Sequence, residues 1–244
     1  MIFVLTFAEF LTHMAKIIYG VFVAGGSGTR MGTDMPKQFL DLGGRPILQQ
    51  TILKFLYAVP EMKVVVVLPR EHIERWKKLC AEFHFDVPQI LVEGGMTRFH
   101  SVKNALSYIP DGAVVLVHDG VRPLLSPAAI TRMLDACGDS RNVIPVCPVT
   151  DTLKSLVAGP DGTLVHSDAP DPLRSGLWGA QTPQIFLSEQ LKEAYTQGYQ
   201  ESFTDDASVA QAKKIPLTYI AGERYNIKIT TPEDLDVARL LFDA

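Results

Sequence analysis

The sequence predicts an α/β fold: a mostly parallel sheet flanked by helices, with one polar β-arm protruding from it. Three observations carry that reading. Short apolar runs recur along the chain, helical stretches separate them, and the runs are apolar at nearly every position rather than at alternate ones. Strands buried on both faces have that last signature, and alternation with helices implies βαβ units on a parallel sheet.

Residues 17–24 form the first expected strand and run directly into a glycine-rich turn. Residues 46–58 follow as a helix, with Ile47, Leu48, Ile52, Phe55 and Leu56 at helical spacing. A buried strand at 64–68, a helix at 71–83, a short strand at 89–92 and a helix at 98–108 continue the rhythm. Strand 114–118, helix 127–137 and strand 143–149 complete it. Residues 151–172 then break the pattern. They are polar and rich in Gly, Pro and Asp, and Pro160-Asp161-Gly162 predicts the turn of a hairpin. The tail resumes with a helix at 188–197, a strand at 217–220 and a helix at 231–242. In that last helix Thr231 is placed as N-cap and Pro232 at the first helical position, where a missing N–H is harmless. With no internal repeat or linker, one domain over residues 1–244 is expected, carrying 151–172 as its arm. Met14 stands just before Ala15-Lys16-Ile17-Ile18, so residues 1–13 are expected to be a start-site artefact or a loose extension.

Composition narrows the function. The chain has 244 residues, 47% hydrophobic and 20% charged, with a formal net charge of −4. That balance implies no broad basic surface for nucleic acid. The apolar N-terminal stretch is broken too soon by His13 and Lys16 to span a bilayer, so no membrane association is expected. Cys80, Cys137 and Cys147 are odd in number and far apart, which favours buried free thiols in a reducing compartment, hence a cytoplasmic protein.

The first chemical signal is Ala24-Gly25-Gly26-Ser27-Gly28-Thr29-Arg30-Met31-Gly32. Glycines let the backbone approach a phosphate and point several N–H groups at one anion, and α/β ligands bind at the carboxyl ends of parallel strands. Arg30 adds a planar fork suited to phosphate. The spacing is not that of a P-loop, and the dinucleotide fingerprint is incomplete because Met31 stands where its third glycine belongs. A glycine cluster alone is equally an ordinary turn. Met35-Pro36-Lys37-Gln38 just downstream supplies what the turn lacks, a lysine able to neutralise charge developing on a phosphate.

These segments, with Phe39, resemble the signature shared by the 2-C-methyl-D-erythritol 4-phosphate cytidylyltransferases and the similar ribitol-5-phosphate cytidylyltransferases. The resemblance runs from Lys16 to Phe242. It implies a Rossmann-like nucleotide-binding domain of the nucleotide-diphospho-sugar transferase type, with an arm used in homodimer formation. It also implies transfer of CMP from CTP to a polyol phosphate with Mg²⁺ as cofactor.

By that resemblance, Ala24, Gly25, Gly26, Gly28 and Thr29 cradle the triphosphate, while Arg30, Lys37 and Lys228 are catalytic. Glu93-Gly94-Gly95-x-x-Arg98-x-x-Ser101 is a second glycine turn entering a helix, and Gly94, Gly95, Arg98 and Ser101 take the nucleoside. Read alone it is equally a plain strand-to-helix loop. Asp119, in His118-Asp119-Gly120-Val121-Arg122, ends a buried strand, where a carboxylate can ligate Mg²⁺. The resemblance places Asp119 at the metal and acceptor site; Arg122 is assigned to the acceptor site beside it, orienting the loop or balancing its charge, and His118 reads as structural. Asp151, Thr152, Arg174 and Thr182 are assigned to the acceptor phosphate, in part across a dimer interface. Asp205-Asp206 reads first as the capped start of a helix.

The implied reaction is an in-line attack of the acceptor's phosphate oxygen on the α-phosphorus of CTP, with pyrophosphate leaving. Arg174-Ser175-Gly176-Leu177-Trp178-Gly179-Ala180-Gln181 favours methylerythritol phosphate as acceptor, although Pro172-Leu173 departs from that pattern. Tyr225-Asn226-Ile227-Lys228-Ile229-Thr230 is equally at home with ribitol phosphate. Two readings of other classes remain: a non-catalytic nucleotide-binding subunit, and an NAD-dependent oxidoreductase. The second needs an acid after strand 64–68, where Pro69-Arg70 stands instead.

Overall fold

The computed structural model of the chain describes residues 16–26, 35–138 and 140–242. An eight-stranded mixed sheet lies between two helical layers. Strand β1 (Ile18–Val23) leads, through the glycine-rich turn and a short two-stranded ribbon β2 (Asp41–Leu42) and β3 (Arg45–Pro46), into helix α1 (Ile47–Ala58). Then come β4 (Lys63–Leu68), α2 (Arg70–Glu82), β5 (Gln89–Glu93), α3 (Arg98–Leu106), β6 (Val114–Asp119), α4 (Pro127–Cys137) and β7 (Val143–Pro148). Each strand and helix expected up to this point is present, with ends shifted by a residue or two.

Period-two geometry explains why the strands are apolar throughout. Val65 and Val67 of β4 and Val115 and Val117 of β6 enter one core, beneath Phe99 and Val102 of α3. Their neighbours Val64, Val66, Leu68, Val114 and Leu116 enter the other, beneath Ile52 and Phe55 of α1 and Trp76 of α2. Each strand thus supplies both layers, which no alternating apolar–polar strand could do. Trp76 is fully buried and places its indole N–H 2.8 Å from Gln89 Oε1, so its polar edge is satisfied.

The helix starts follow the local chemistry. Ser126 caps α4 through Ala129 N–H at 3.1 Å, with Pro127 at the first helical position. At the last helix, α7 (Pro232–Phe242), the Thr231 hydroxyl accepts the Asp234 N–H at 3.4 Å, as its sequence predicts.

The arm contains a hairpin of β8 (Leu156–Ala158) and β9 (Leu164–His166), and the Pro160-Asp161-Gly162 turn lies between them, with Gly162 at φ +82°. All six strand residues are exposed. The stretch after it corrects the sequence reading. Residues for which the sequence announced no strand form β10 (Trp178–Ala180) and β11 (Gln184–Leu187). Strand β11 runs antiparallel between β6 and β7. Its four residues are too few to show a period. Helix α5 (Ser188–Ala194) also stops short of the expected residue 197, and α6 (Asp206–Ala212) and β12 (Thr218–Ala221) follow. Val143 pairs with both Ile185 and Thr218, and Val146 with both Ala180 and Ala221. Strand β12 therefore borders one edge of β7, while β11 and β10 share the other.

The strand order reverses at β1. From it the chain moves outward to β4 and β5 on one side and returns to β6 on the other. In open α/β sheets that switch point, at the carboxyl ends, is where ligands sit. Three backbone bonds close it: Ala24 N–H to Val67 C=O at 2.9 Å, Gly120 N–H to Val23 C=O at 2.9 Å, and Gly94 N–H to Leu68 C=O at 2.8 Å.

Candidate active site

An open cavity of about 590 Å³ lies at those strand ends. Its wall includes Ala24, Gly25 and Gly26 after β1, Lys37 and Gln38, Gly94, Gly95, Arg98 and Ser101 around the start of α3, Asp119 at the end of β6, and Lys228. Residues from both ends of the chain thus meet in one place. Gly28, Thr29 and Arg30 lie outside the described residues.

The Lys37 stem passes beside Gly26: a Cβ added there would stand 3.6 Å from Lys37 Cε, ordinary van der Waals distance. Lys37 opens a short 3₁₀ turn, Lys37–Phe39, and the next residue, Gln38, donates from Nε2 to Ala24 C=O at 3.0 Å. The lysine is therefore tied to the rim of the glycine turn. Across the cavity, Gly95 N–H donates to Ser101 Oγ at 3.1 Å and Ser101 Oγ donates to Thr97 C=O at 3.0 Å. Ser101, expected to touch the nucleoside, lies in the cavity wall and braces the glycine turn that faces it. A Cβ at Gly95 would collide with His100, so only glycine fits that turn.

Asp119 is the electrostatic centre. Its Oδ2 lies 3.0 Å from Arg122 Nε and 3.2 Å from Lys228 Nζ, and its Oδ1 lies 3.8 Å from Arg98 Nε. Burial alone would raise this carboxyl's pKa, but Arg98, Lys228 and Arg122 outweigh burial and hold it well below the usual carboxylate range. For Arg98, burial opposes the charge, yet the Asp206 and Asp119 carboxylates keep the guanidinium firmly protonated. Cations outnumber carboxylates here, as a polyphosphate pocket requires.

Behind Asp119 runs a buried polar chain. Asp119 N–H donates to Thr182 Oγ1 at 3.1 Å, Thr182 Oγ1 lies 2.9 Å from His118 Nδ1, and His118 Nε2 lies 3.2 Å from Arg122 C=O. The carbonyl can only accept, so Nε2 carries the proton and the Thr182 hydroxyl donates to Nδ1. Burial draws the His118 pKa down to about 3, so the ring is a neutral strut, in keeping with the structural role expected of it. Placed by sequence at the acceptor phosphate, Thr182 is buried and its hydroxyl is committed to Asp119 and His118.

Arg122 likewise faces inward. Besides Asp119 it donates from Nη1 to Asn226 C=O at 2.8 Å, while Asn226 Nδ2 donates to Thr182 C=O at 2.8 Å. Arg122 thus joins the end of β6 to the loop that delivers Lys228. Asp151, Thr152 and Arg174 are exposed and do not line this cavity; Arg174 Nη1 donates to Thr150 C=O at 2.6 Å. One copy of the chain therefore brings Gly25, Gly26, Gly94, Gly95, Arg98 and Asp119 to one cavity with Lys37 and Lys228, while Asp151, Thr152 and Arg174 lie away from it.

Sequence reasoning missed Asp206. It is fully buried, with Oδ2 2.6 Å from Arg98 Nη2 and Oδ1 2.6 Å from the Tyr195 hydroxyl. Asp205 caps α6 as expected, in a capping box with Ser208. The available signal was spacing: Asp206 stands three and four residues before Val209 and Ala210, on the buried helical face.

A parallel-centred sheet that reverses order above a cationic, glycine-walled cavity defines an α/β nucleotide-binding protein built for phosphoryl-group chemistry. Comparison with known proteins narrows the class. Residues 18–243 match the family described as 2-C-methyl-D-erythritol 4-phosphate cytidylyltransferase, and the chain belongs to that family. It is 43% identical over 219 residues to the cytidylyltransferase of that name from Bacteroides fragilis, covering 90% of this chain and 96% of the relative. It is 46% identical over 224 residues to the Porphyromonas gingivalis enzyme of the same name, covering 91% and 96%. Among solved structures, the 2-C-methyl-D-erythritol 4-phosphate cytidylyltransferase of Thermus thermophilus matches with a TM-score of 0.70 at 30% identity, covering 94% of this chain and all of that one. A 4-diphosphocytidyl-2C-methyl-D-erythritol synthase matches with a TM-score of 0.76 at 26% identity.

Proposed function

We propose that the protein transfers CMP from CTP to 2-C-methyl-D-erythritol 4-phosphate and releases pyrophosphate, a step in isoprenoid precursor synthesis. The observation that carries this is the convergence of Lys37, Arg98, Asp119 and Lys228 on one cavity beside Gly25 and Gly26, in a chain of this family. An acceptor phosphate oxygen attacks the α-phosphorus, the bond from that phosphorus to the pyrophosphate oxygen breaks, and both electrons leave with pyrophosphate. Both substrates are anions, so positioning and charge neutralisation supply most of the acceleration. Lys37, Lys228 and Arg30 stabilise charge on the reacting phosphate, while Gly94, Gly95 and Arg98 hold the nucleoside side of CTP.

Among the described residues no group of three or more metal-ligating His, Cys, Asp or Glu side chains occurs. Asp119 presents a carboxylate at the end of β6 and Glu93 another at the end of β5, a sparse set that suits Mg²⁺ carried in by a triphosphate rather than a dedicated metal cage. Bound so, Mg²⁺ would neutralise phosphate charge, with Asp119 as its protein contact.

The acceptor is held between two copies of the chain. Asp151, Thr152 and Arg174 lie on or beside the arm, outside their own chain's cavity. The arm exposes Leu156, Val157, Leu164 and Val165, and a separate cavity of about 670 Å³ is lined by Leu177, Trp178 and Tyr219. Exposed apolar surface of this kind favours an interface, here with a second copy. A fully active monomer in solution would contradict that assembly. Among the described residues no helix is long and apolar enough to cross a membrane. Cys80, Cys137 and Cys147 are free thiols, which supports a cytoplasmic enzyme.

The deciding experiment measures pyrophosphate release from CTP with 2-C-methyl-D-erythritol 4-phosphate and, separately, ribitol 5-phosphate. Release with the first acceptor is expected. Release with ribitol 5-phosphate alone, or CTP binding with no release for either, would overturn the reading.

A further inference from the structure

Arg98 and Asp206 are 108 residues apart in sequence and 2.6 Å apart in space. Arg98 is the first residue of α3, where the helix dipole opposes a cation, so its guanidinium needs an anion to hold it there. Asp206 is the first residue of α6, where the dipole favours an anion. Asp206 is fixed on every side. Tyr195 donates to its Oδ1, and burial followed by the Asp206 charge keeps that hydroxyl protonated. On one flank, Gln184 Nε2 donates to Asp205 Oδ2 at 2.7 Å; on the other, Ala207 N–H donates to Gln184 Oε1 at 2.8 Å.

Arg98 lines the nucleotide cavity and Asp206 does not. The contact between them is a single point: Asp206 spends one oxygen on Arg98 Nη2 and the other on Tyr195. A buried ion pair adds little net stability over a well-packed apolar pair, so this one is better explained by what it orients. With Nη2 anchored, Arg98 Nε faces Asp119 Oδ1 at 3.8 Å, outside hydrogen-bond range. Released from Asp206, Arg98 would close onto Asp119, the carboxylate already shared by Arg122 and Lys228.

We propose that Asp206 is a positioning residue for the nucleotide site, holding the Arg98 guanidinium in the cavity wall and off Asp119. This rests on the CTP-dependent reading above.

The test is calorimetric titration of CTP, with magnesium chloride and no acceptor, into the wild type, Asp206→Asn, Arg98→Gln and the double variant, with melting temperatures as a check on folding. Asp206→Asn is expected to weaken CTP binding about tenfold in the wild-type background and to change it less than about twofold once Arg98 is Gln, the non-additivity of residues acting as one unit. A purely structural pair would lower the melting temperature and leave the affinity of the folded protein alone. Folded Asp206→Asn with wild-type affinity, or an equal loss in both backgrounds, would overturn the proposal. Should Asp206→Asn fail to fold, Tyr195→Phe loosens the same carboxylate, and an unchanged CTP affinity there would overturn it as well. A wild type that does not bind CTP would defeat the CTP reading itself, a distinguishable result.

Discussion

The cavity wall and the β8–β9 hairpin solve opposite problems with similar residues. In the wall, Asp119 meets Arg98, Arg122 and Lys228 while only 9% of its side chain is exposed. In the hairpin region, Asp171 meets Lys154 at 2.6 Å, the Ser155 N–H at 3.0 Å and His166 at 3.0 Å on the surface. Both carboxyls are held below the ordinary range, Asp171 to about 2, first by the Lys154 hydrogen bond and then by the Ser155 N–H. The consequences differ. Water screens the exposed set, so it tidies a hairpin. Exclusion of water makes the buried set a fixed field that an incoming polyphosphate meets without reorganisation.

The contrast can be broken most severely at Lys37. Lys37→Ala is expected to lower turnover about 10²–10³-fold, measured as pyrophosphate release, with little change in melting temperature. An active variant would remove the centre of the mechanism.

Next is Thr182→Val, which keeps the shape but strips the hydroxyl from Asp119 N–H and His118 Nδ1. Denaturant titration should show a loss of about 1–3 kcal/mol, the cost of leaving buried polar groups unpaired. A neutral result would mean that Thr182 does not brace the site.

His118 sharpens the comparison through pH. Its folded pKa lies near 3, below the ordinary 6.5, so between those values the unfolded chain binds the extra proton. Stability from this group is therefore fully present above about pH 6.5 and is lost as pH falls toward 3, with a slope of up to about 1.4 kcal/mol per pH unit. His118→Gln should flatten the acid limb of a stability–pH curve by that amount.

The smallest effect belongs to the hairpin. Lys154→Ala removes an exposed ion pair and should leave both melting temperature and CTP affinity unchanged. A clear drop in either would show that the arm's charges matter as much as the buried ones.

Much of the fold was readable because buried strands have no polar face. The run Val64 to Leu68 can satisfy two apolar layers and nothing else. The hairpin turn was readable because Pro160-Asp161-Gly162 fits few backbone paths, and Gly162 takes the left-handed conformation that favours glycine. Strand β11 was not readable, since a four-residue run after a proline carries no period. Among site residues, the glycine turns and Lys37 were legible from local spacing. Asp206 was not: its helix start was foreseen, but its partner Arg98 stands 108 residues away and no local pattern links them.

Local chemistry along the chain thus dictated where helices start, which strands are buried and which short segments can approach a phosphate, because those depend on residues within a few positions of one another. Tertiary structure alone decided that Asp119 gathers three cations, that the Thr182 hydroxyl bridges Asp119 N–H and His118, and that Arg98 is held by Asp206. The reason is physical. Charge and hydrogen-bond partners are set by distance in space and exclusion of water, and the sheet order that closes those distances is absent from any single stretch of sequence.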